Sequence, residues 1–126
     1  MPFVRIDVPA GTPAAFRADL SEAIQRSLHD ALGVPMEERF HVIVEHQAGG
    51  IIVDPSYLGV QRSPNAVIIQ VVLNRGRDAE KKKRFYAKLA EEANARTGIR
   101  REDIVVNLIE VGREDWSFGN GEAQLA

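Results

Sequence analysis

Pro2 stands behind Met1, and an initiator methionine is commonly removed ahead of a small residue. The chain then begins on a secondary amine that carries no acyl group. Such an amine can act as base, as cationic acid or as imine-forming nucleophile near neutral pH. A Met-Pro start is also a common accident at ordinary proline usage, so Pro2 gains meaning only in company. Arg75 and Arg77 flank Gly76 where a strand gives way to a helix. Guanidinium forks bind carboxylates bidentately, so Arg-Gly-Arg reads as a clamp for a small carboxylic acid, against the plainer reading of two solvated turn arginines. Glu37 and Glu38 occupy the corresponding turn of the first half, where a carboxylate could face Pro2 and a water or simply lie at the surface. Trp116 and Phe118 lie beyond the last strand, as a pocket wall or as cover for the core or an interface.

Other chemistries lack their residues. The chain has no cysteine, which removes thiol nucleophiles, thiolate metal sites and disulfides. His29, His41 and His46 show neither His-Glu-x-x-His spacing nor a Ser-His-Asp order, and all three read as non-catalytic. His29 lies well off the apolar stripe of its helix. Gly49-Gly50 and Gly119-Asn120-Gly121 lack the lysine and helix of a phosphate loop. Neither a metal nor a cofactor is expected.

The positioning elements follow from periodicity. Phe3 to Val8 alternates as a short strand, and Pro9-Ala10-Gly11 stops it. Thr12 reads as an N-cap with Pro13 at the first helical position, and Phe16, Leu20, Ile24, Leu28 and Ala31 recur at helical spacing as far as Gly33. A second strand begins at Phe40 and runs to Glu45. The breakers Gly49, Gly50, Pro55, Gly59 and Pro64 mark a connector. Ala66 to Leu73 then reads as a strand, Asp78 as the cap of a helix carrying Phe85, Leu89 and Ala93, Gly98 as its close, and Ile104 to Val111 as a strand. A shift of 65 residues lays Gly11 on Gly76, Gly33 on Gly98, Val34 on Ile99, Glu38 on Asp103, Phe40 on Val105 and Glu45 on Glu110. The expected fold is α+β: two tandem β-α-β units, about 2–46 and 66–111, form a four-stranded sheet with both helices on one face, within a single domain 1–126 that ends in an aromatic tail, 112–126. The rather apolar second face calls for a partner subunit. A ferredoxin-like sandwich has the same element order.

Composition narrows the partners. With 126 residues, 44% hydrophobic and 27% charged, the chain is ordinary globular material of about one domain. Lys+Arg 16 against Asp+Glu 18 gives a net charge of −2, so no broad footprint for nucleic acid or an anionic membrane appears. No run approaches the roughly 18 apolar residues of a membrane span, and the start lacks a signal-peptide layout, so a cytoplasmic protein is expected.

Taken together, Pro2, the doubled β-α-β pattern, Gly33-Val34-Pro35, Gly59-Val60-Gln61-Arg62-Ser63, Arg75-Gly76-Arg77 and Asp115-Trp116-Ser117-Phe118-Gly119 resemble the tautomerase superfamily, most of all its malonate semialdehyde decarboxylase group. The resemblance runs from Pro2 to about Gly121. It implies a homotrimer with an amino-terminal proline, Pro2, as the catalytic group at the base of each pocket. It also implies that Arg75 and Arg77 bind the carboxylate of a small oxo acid and that Trp116 and Phe118 wall the pocket. Glu38 falls where the group carries an aspartate, a departure that lengthens the side chain by a methylene. The implied reaction is decarboxylation of malonate semialdehyde to acetaldehyde, with keto-enol tautomerisation of a 2-oxo acid such as phenylenolpyruvate as the alternative. The superfamily's cis-selective haloacrylate dehalogenases match at Pro2 and His29, but the strand Ile104 to Ile109 lacks the tyrosine that activity needs. A non-catalytic ferredoxin-like binding module, with Pro2 incidental, is the reading from a different class.

Overall fold

A computed structural model describes residues 1–126. The elements in chain order are β1 (Phe3–Val8), α1 (Ala14–Leu32), β2 (His41–Glu45), β3 (Val67–Asn74), α2 (Ala79–Thr97) and β4 (Ile104–Val111), with single 3-10 turns at Tyr57–Gly59, Arg101–Asp103 and Arg113–Asp115. The sheet order is β2-β1-β3-β4. β1 runs parallel to β2 and β3 parallel to β4, while β1 and β3 pair antiparallel with Phe3 opposite Val72 and Ile6 opposite Ile69. Each unit therefore keeps its own two strands adjacent. A ferredoxin-like sheet splits them, so that alternative is excluded.

Both helices cover one face, as expected. Val4, Ile6 and Val8 of β1 and Val67, Ile69, Val71 and Leu73 of β3 alternate inward and pack with Leu20, Ile24 and Leu28 of α1 and Phe85, Leu89 and Ala93 of α2 in one buried cluster. α1 ends at Gly33, whose φ of 72° suits a residue without Cβ, and Val34 N–H closes the turn on the Leu28 carbonyl. At the other end of α1 the expectation needs correction. Pro13, not Thr12, is the capping residue, and the Thr12 hydroxyl donates backwards to the Pro9 carbonyl. Proline has no side-chain acceptor, so the first-turn N–H groups of α1 have no side-chain cap. The ladder of β2 starts one residue later than expected, although the Phe40 carbonyl still accepts from Val4 N–H at 2.8 Å.

The two halves share bonds as well as pattern at the 65-residue offset. Arg17 binds Glu45 at 2.9 Å, and its counterpart Lys82 binds Glu110 at 2.6 Å. The Gly11 N–H donates to that Glu45 carboxylate at 2.9 Å, and the Gly76 backbone helps to hold the Glu110 pKa down after the larger effect of Lys82. His29 Nδ1 meets the Val34 carbonyl as Asn94 Nδ2 meets that of Ile99. Glu38 N–H donates to the Pro35 carbonyl as Asp103 N–H does to that of Arg100. These repeated contacts are the fold's own fastenings, and a residue that departs from them has another reason to be there.

The opposite sheet face is open. Phe3, Val42 and Ile109 there stay 37%, 42% and 41% exposed, around an Arg5–Asp7 ion pair that His46 joins at 2.6 Å. No helix is long and apolar enough to cross a membrane.

Phe85 is fully buried where α2 meets the sheet, so Phe85→Ala should destabilise the fold by about 3–5 kcal/mol in urea unfolding. A loss under about 1 kcal/mol would contradict this account of the core.

Candidate active site

The antiparallel β1–β3 pairing determines which residues can meet. It sets the start of β1 beside the end of β3, so Pro2 extends the ladder opposite Leu73, next to Asn74-Arg75-Gly76-Arg77. The parallel β1–β2 pairing brings the turn that carries Glu38, Arg39 and Phe40 along the other side of Pro2. Parallel β3–β4 pairing puts Val111 and the tail at the same end. Pro2, Glu38, Arg75, Arg77, Trp116 and Phe118 thus come from four separate stretches of chain to one end of the sheet.

Pro2 is buried. The Trp116 indole N–H donates to Asn74 Oδ1 at 2.6 Å, Trp116 stacks on Phe118 at 5.2 Å, and Phe118 meets Phe40 at 5.4 Å. Asn74 and Phe40 both have open-face parity, so this aromatic row crosses the sheet end on the face away from the helices. Asn74 and Phe40 escaped the sequence reading. An asparagine closing an apolar strand is the only signal for the first, and Phe40 had been read as part of a strand.

Neither Arg75 nor Arg77 forms an ion pair with a carboxylate. Arg77 donates to the carbonyls of Asn74 at 3.3 Å and Leu32 at 3.2 Å, both neutral acceptors, the latter an orphan carbonyl at the end of α1. Arg75 is exposed and its side chain makes neither hydrogen bond nor ion pair, while Arg5, Arg17, Arg26, Arg39, Arg96 and Arg100 are all paired with acids. Glu110 lies at this end too, held below the usual carboxylate range first by its hydrogen bond from Lys82 and also by the field of Arg75. The half-exposed Glu38 carboxylate is likewise without a partner. Two arginines without acidic partners and a free carboxylate lie at the same sheet end as Pro2, residue types suited to carboxylate binding and proton transfer.

Behind Glu38 lies a polar network that periodicity did not single out. Gln25 is fully buried, and its amide nitrogen donates to the carbonyls of Pro35 at 3.1 Å, Met36 at 3.3 Å and Glu38 at 2.9 Å. Its Oε1 can only accept, so His41 Nε2 carries a proton toward it at 3.1 Å and Nδ1 accepts from the Ser21 hydroxyl at 2.7 Å. Burial pushes the His41 pKa down to about 4, with Arg39 adding to the shift and Glu22 opposing it.

The far end of the sheet is the counterpart of this site under the same offset. It contains a cleft of about 440 Å³, lined by Ala10, Gly11, Thr12, Ser63, Arg100 and Asp103 among others. Val67 replaces Pro2 there, and Ala10 and Thr12 replace the two arginines. Asp103, in the place of Glu38, is spent on the Ser63 N–H at 2.7 Å and hydroxyl at 2.6 Å. This cleft has no free nucleophile or base, whereas the free Glu38 carboxylate and two arginines without acidic partners lie at the Pro2 end.

Comparison with known proteins gives the family. Two family models, both described as tautomerase enzyme, match residues 2–61 and 38–119. The probable tautomerase YusQ of Bacillus subtilis strain 168 is 35% identical over 99% of this chain and 98% of its own, and the probable tautomerase YrdN of the same organism is 34% identical over 99% and 96%. The chain belongs to the tautomerase superfamily. It is an enzyme of the lyase or isomerase type. Among solved structures this tautomerase-superfamily chain is similar to a malonate semialdehyde decarboxylase with decarboxylase and hydratase activities, at TM-score 0.90 and 32% identity over 98% of this chain and 95% of that one. FG41 malonate semialdehyde decarboxylase matches at TM-score 0.90 and 34% identity over 97% and 92%. A fused 4-OT solved as a symmetric trimer shares the fold at TM-score 0.77 and 22% identity over 98% and 97%.

His41 should make stability fall with acid. Its folded pKa of about 4 lies below the ordinary 6.5, so the unfolded chain binds the extra proton between those values, and stability present above pH 6.5 is lost toward pH 4. Allowing for its partial exposure, melting between pH 7 and 4.5 should cost the parent on the order of 1–2 kcal/mol more than a His41→Gln variant. Equal losses would contradict a neutral, buried His41.

Proposed function

We propose that this protein is an amino-terminal-proline enzyme that decarboxylates malonate semialdehyde (3-oxopropanoate) to acetaldehyde. The observation that carries the reading is the meeting of Pro2, the unpaired Arg75 and Arg77, and the Trp116–Phe118–Phe40 row at one sheet end. The two malonate semialdehyde decarboxylase structures similar to this chain support it.

In this reading removal of Met1 frees the Pro2 nitrogen. Arg75 and Arg77 hold the substrate carboxylate out of the carbonyl plane, so that the breaking bond overlaps the carbonyl π system. Cationic Pro2 donates a hydrogen bond to the aldehyde oxygen, or the neutral amine attacks the aldehyde carbon and the adduct takes up a proton and loses water to give an iminium ion. The bond between the carboxylate carbon and C2 breaks, carbon dioxide leaves, and the electron pair moves through C2 to the polarised oxygen or iminium nitrogen. A proton then adds to C2. Acetaldehyde results directly on the first route and after hydrolysis on the second. The aromatic wall desolvates the departing carboxylate. Glu38 raises the Pro2 pKa while the arginines lower it, so their balance sets how much of the cationic form is present.

A neutral Pro2 would instead remove a proton from C3 of a 2-oxo acid or from an enol hydroxyl. That second reading, a tautomerase acting on a substrate such as phenylenolpyruvate, is favoured by the probable tautomerases among the relatives. Either chemistry fits a homotrimer. The fused 4-OT of the same fold is a symmetric trimer, and the open face with Phe3, Val42 and Ile109 offers the apolar surface for association.

Purified, Met1-processed protein incubated with malonate semialdehyde should yield acetaldehyde, followed through a coupled reductase. Pro2→Ala should lower kcat/KM by about 10³ or more, and Arg75→Ala should act mainly by raising KM about 10- to 100-fold. Absence of acetaldehyde from folded, processed protein would sink the decarboxylase reading and leave the enol substrates.

A further inference from the structure

We propose that Gln25, oriented by His41 and Ser21, is a positioning residue that sets the Glu38 carboxylate against Pro2. The proposal rests on the reading of Glu38 as a working group of the Pro2 site.

The argument comes from comparing the two ends of the same molecule. The turn before β2 and the turn before β4 close with the same backbone bond, Glu38 N–H to Pro35 and Asp103 N–H to Arg100, at 3.1 and 3.0 Å. Both helices close on glycine, and both use the same ion pair and the same side-chain bond to the carbonyl after the glycine. The network of Gln25, His41 and Ser21 occurs only once. At the 65-residue offset Gln25 becomes Ala90, His41 becomes Val106 and Ser21 becomes Tyr86. The turn therefore forms without a glutamine beneath it, and the β-α-β unit packs without these polar groups.

Keeping them is costly unless they do something. A buried amide and a half-buried imidazole in an otherwise apolar helix–sheet seam must find every partner or destabilise the fold. Here they are satisfied, and the partners show where the network acts. Gln25 gathers three carbonyls of the turn onto one amide nitrogen, including that of Glu38 itself. His41 fixes the amide by occupying its oxygen, and Ser21 fixes the ring by occupying Nδ1. Arg39, the neighbour of Glu38, is tied to the same helix through Glu22 at 3.0 Å. The turn is thus pinned to α1 on both sides of the Glu38 Cα. At the other end Asp103 needs no such template, because Ser63 holds its carboxylate directly. Glu38 must keep its carboxylate free for the site, so its backbone is held instead.

The test is a double-mutant cycle in the processed, full-length enzyme, read by acetaldehyde formation from malonate semialdehyde and by ketonisation of phenylenolpyruvate. Gln25→Met keeps the volume and removes the donors. It should lower kcat about tenfold with KM within about twofold, and move the Pro2 limb of the pH–rate profile toward that of Glu38→Gln. In the Glu38→Gln background, Gln25→Met should add no further loss. If Gln25→Met does not fold, Ser21→Ala enters the same cycle, with an expected loss of about two- to threefold that vanishes beside Glu38→Gln. Equal losses in both backgrounds, or an unmoved pH profile in a folded variant, would overturn the positioning role and leave the proposed function intact. Glu38→Gln at the parent rate on both substrates would remove Glu38 from the mechanism, and the present proposal with it.

Discussion

The antiparallel register of β1 against β3 is the constraint on which everything else depends. Phe3 opposite Val72 joins two β-α-β units so that the first residues of one lie beside the last strand residues of the other. A slip of a single residue would turn Val4, Ile6 and Val8 out of the core and carry Pro2 away from the Arg75–Arg77 turn. The same register closes one buried cluster across both units, so stability and the site depend on a common alignment.

That arrangement gives the sheet two related ends, and they have diverged in chemistry. One combines Pro2, two arginines without acidic partners, a free Glu38 and an aromatic row. The other has Val67, Ala10, Thr12 and an Asp103 consumed by Ser63. A cleft of about 440 Å³ lies at the second end, with no free acid, base or nucleophile in its lining. The aromatic row of the first end lies on the open side of the sheet. Repeated fastenings such as Arg17–Glu45 and Lys82–Glu110 show what the fold requires in both halves. Against them, the features found once stand out as features of the site.

Much of this was legible in the residues. Alternation in β1, the glycines Gly33 and Gly98, the Asp78 cap and the 65-residue offset specify two β-α-β units, because caps and periodicity are local properties. Six site candidates lie at a common end because each sits at an element boundary that the topology gathers. Thr12 was misread because a threonine before a proline can donate backwards as readily as cap forwards. Phe40, Asn74 and the Gln25–His41–Ser21 network were not read, because each depends on a partner distant in sequence. Ser21 and Gln25 lie four residues apart on α1, yet nothing along the chain says that they face His41 and the turn carrying Glu38.

The central claim is that a small carboxylic acid binds at the Pro2 end and not at the cleft of the opposite end. Titrating the processed protein with malonate and following backbone amide shifts by NMR tests it most directly. The account predicts saturable shifts at Glu38, Phe40, Asn74, Arg75, Arg77 and Trp116, with Gly11, Ser63, Arg100 and Asp103 unmoved. Shifts confined to the second set would contradict it.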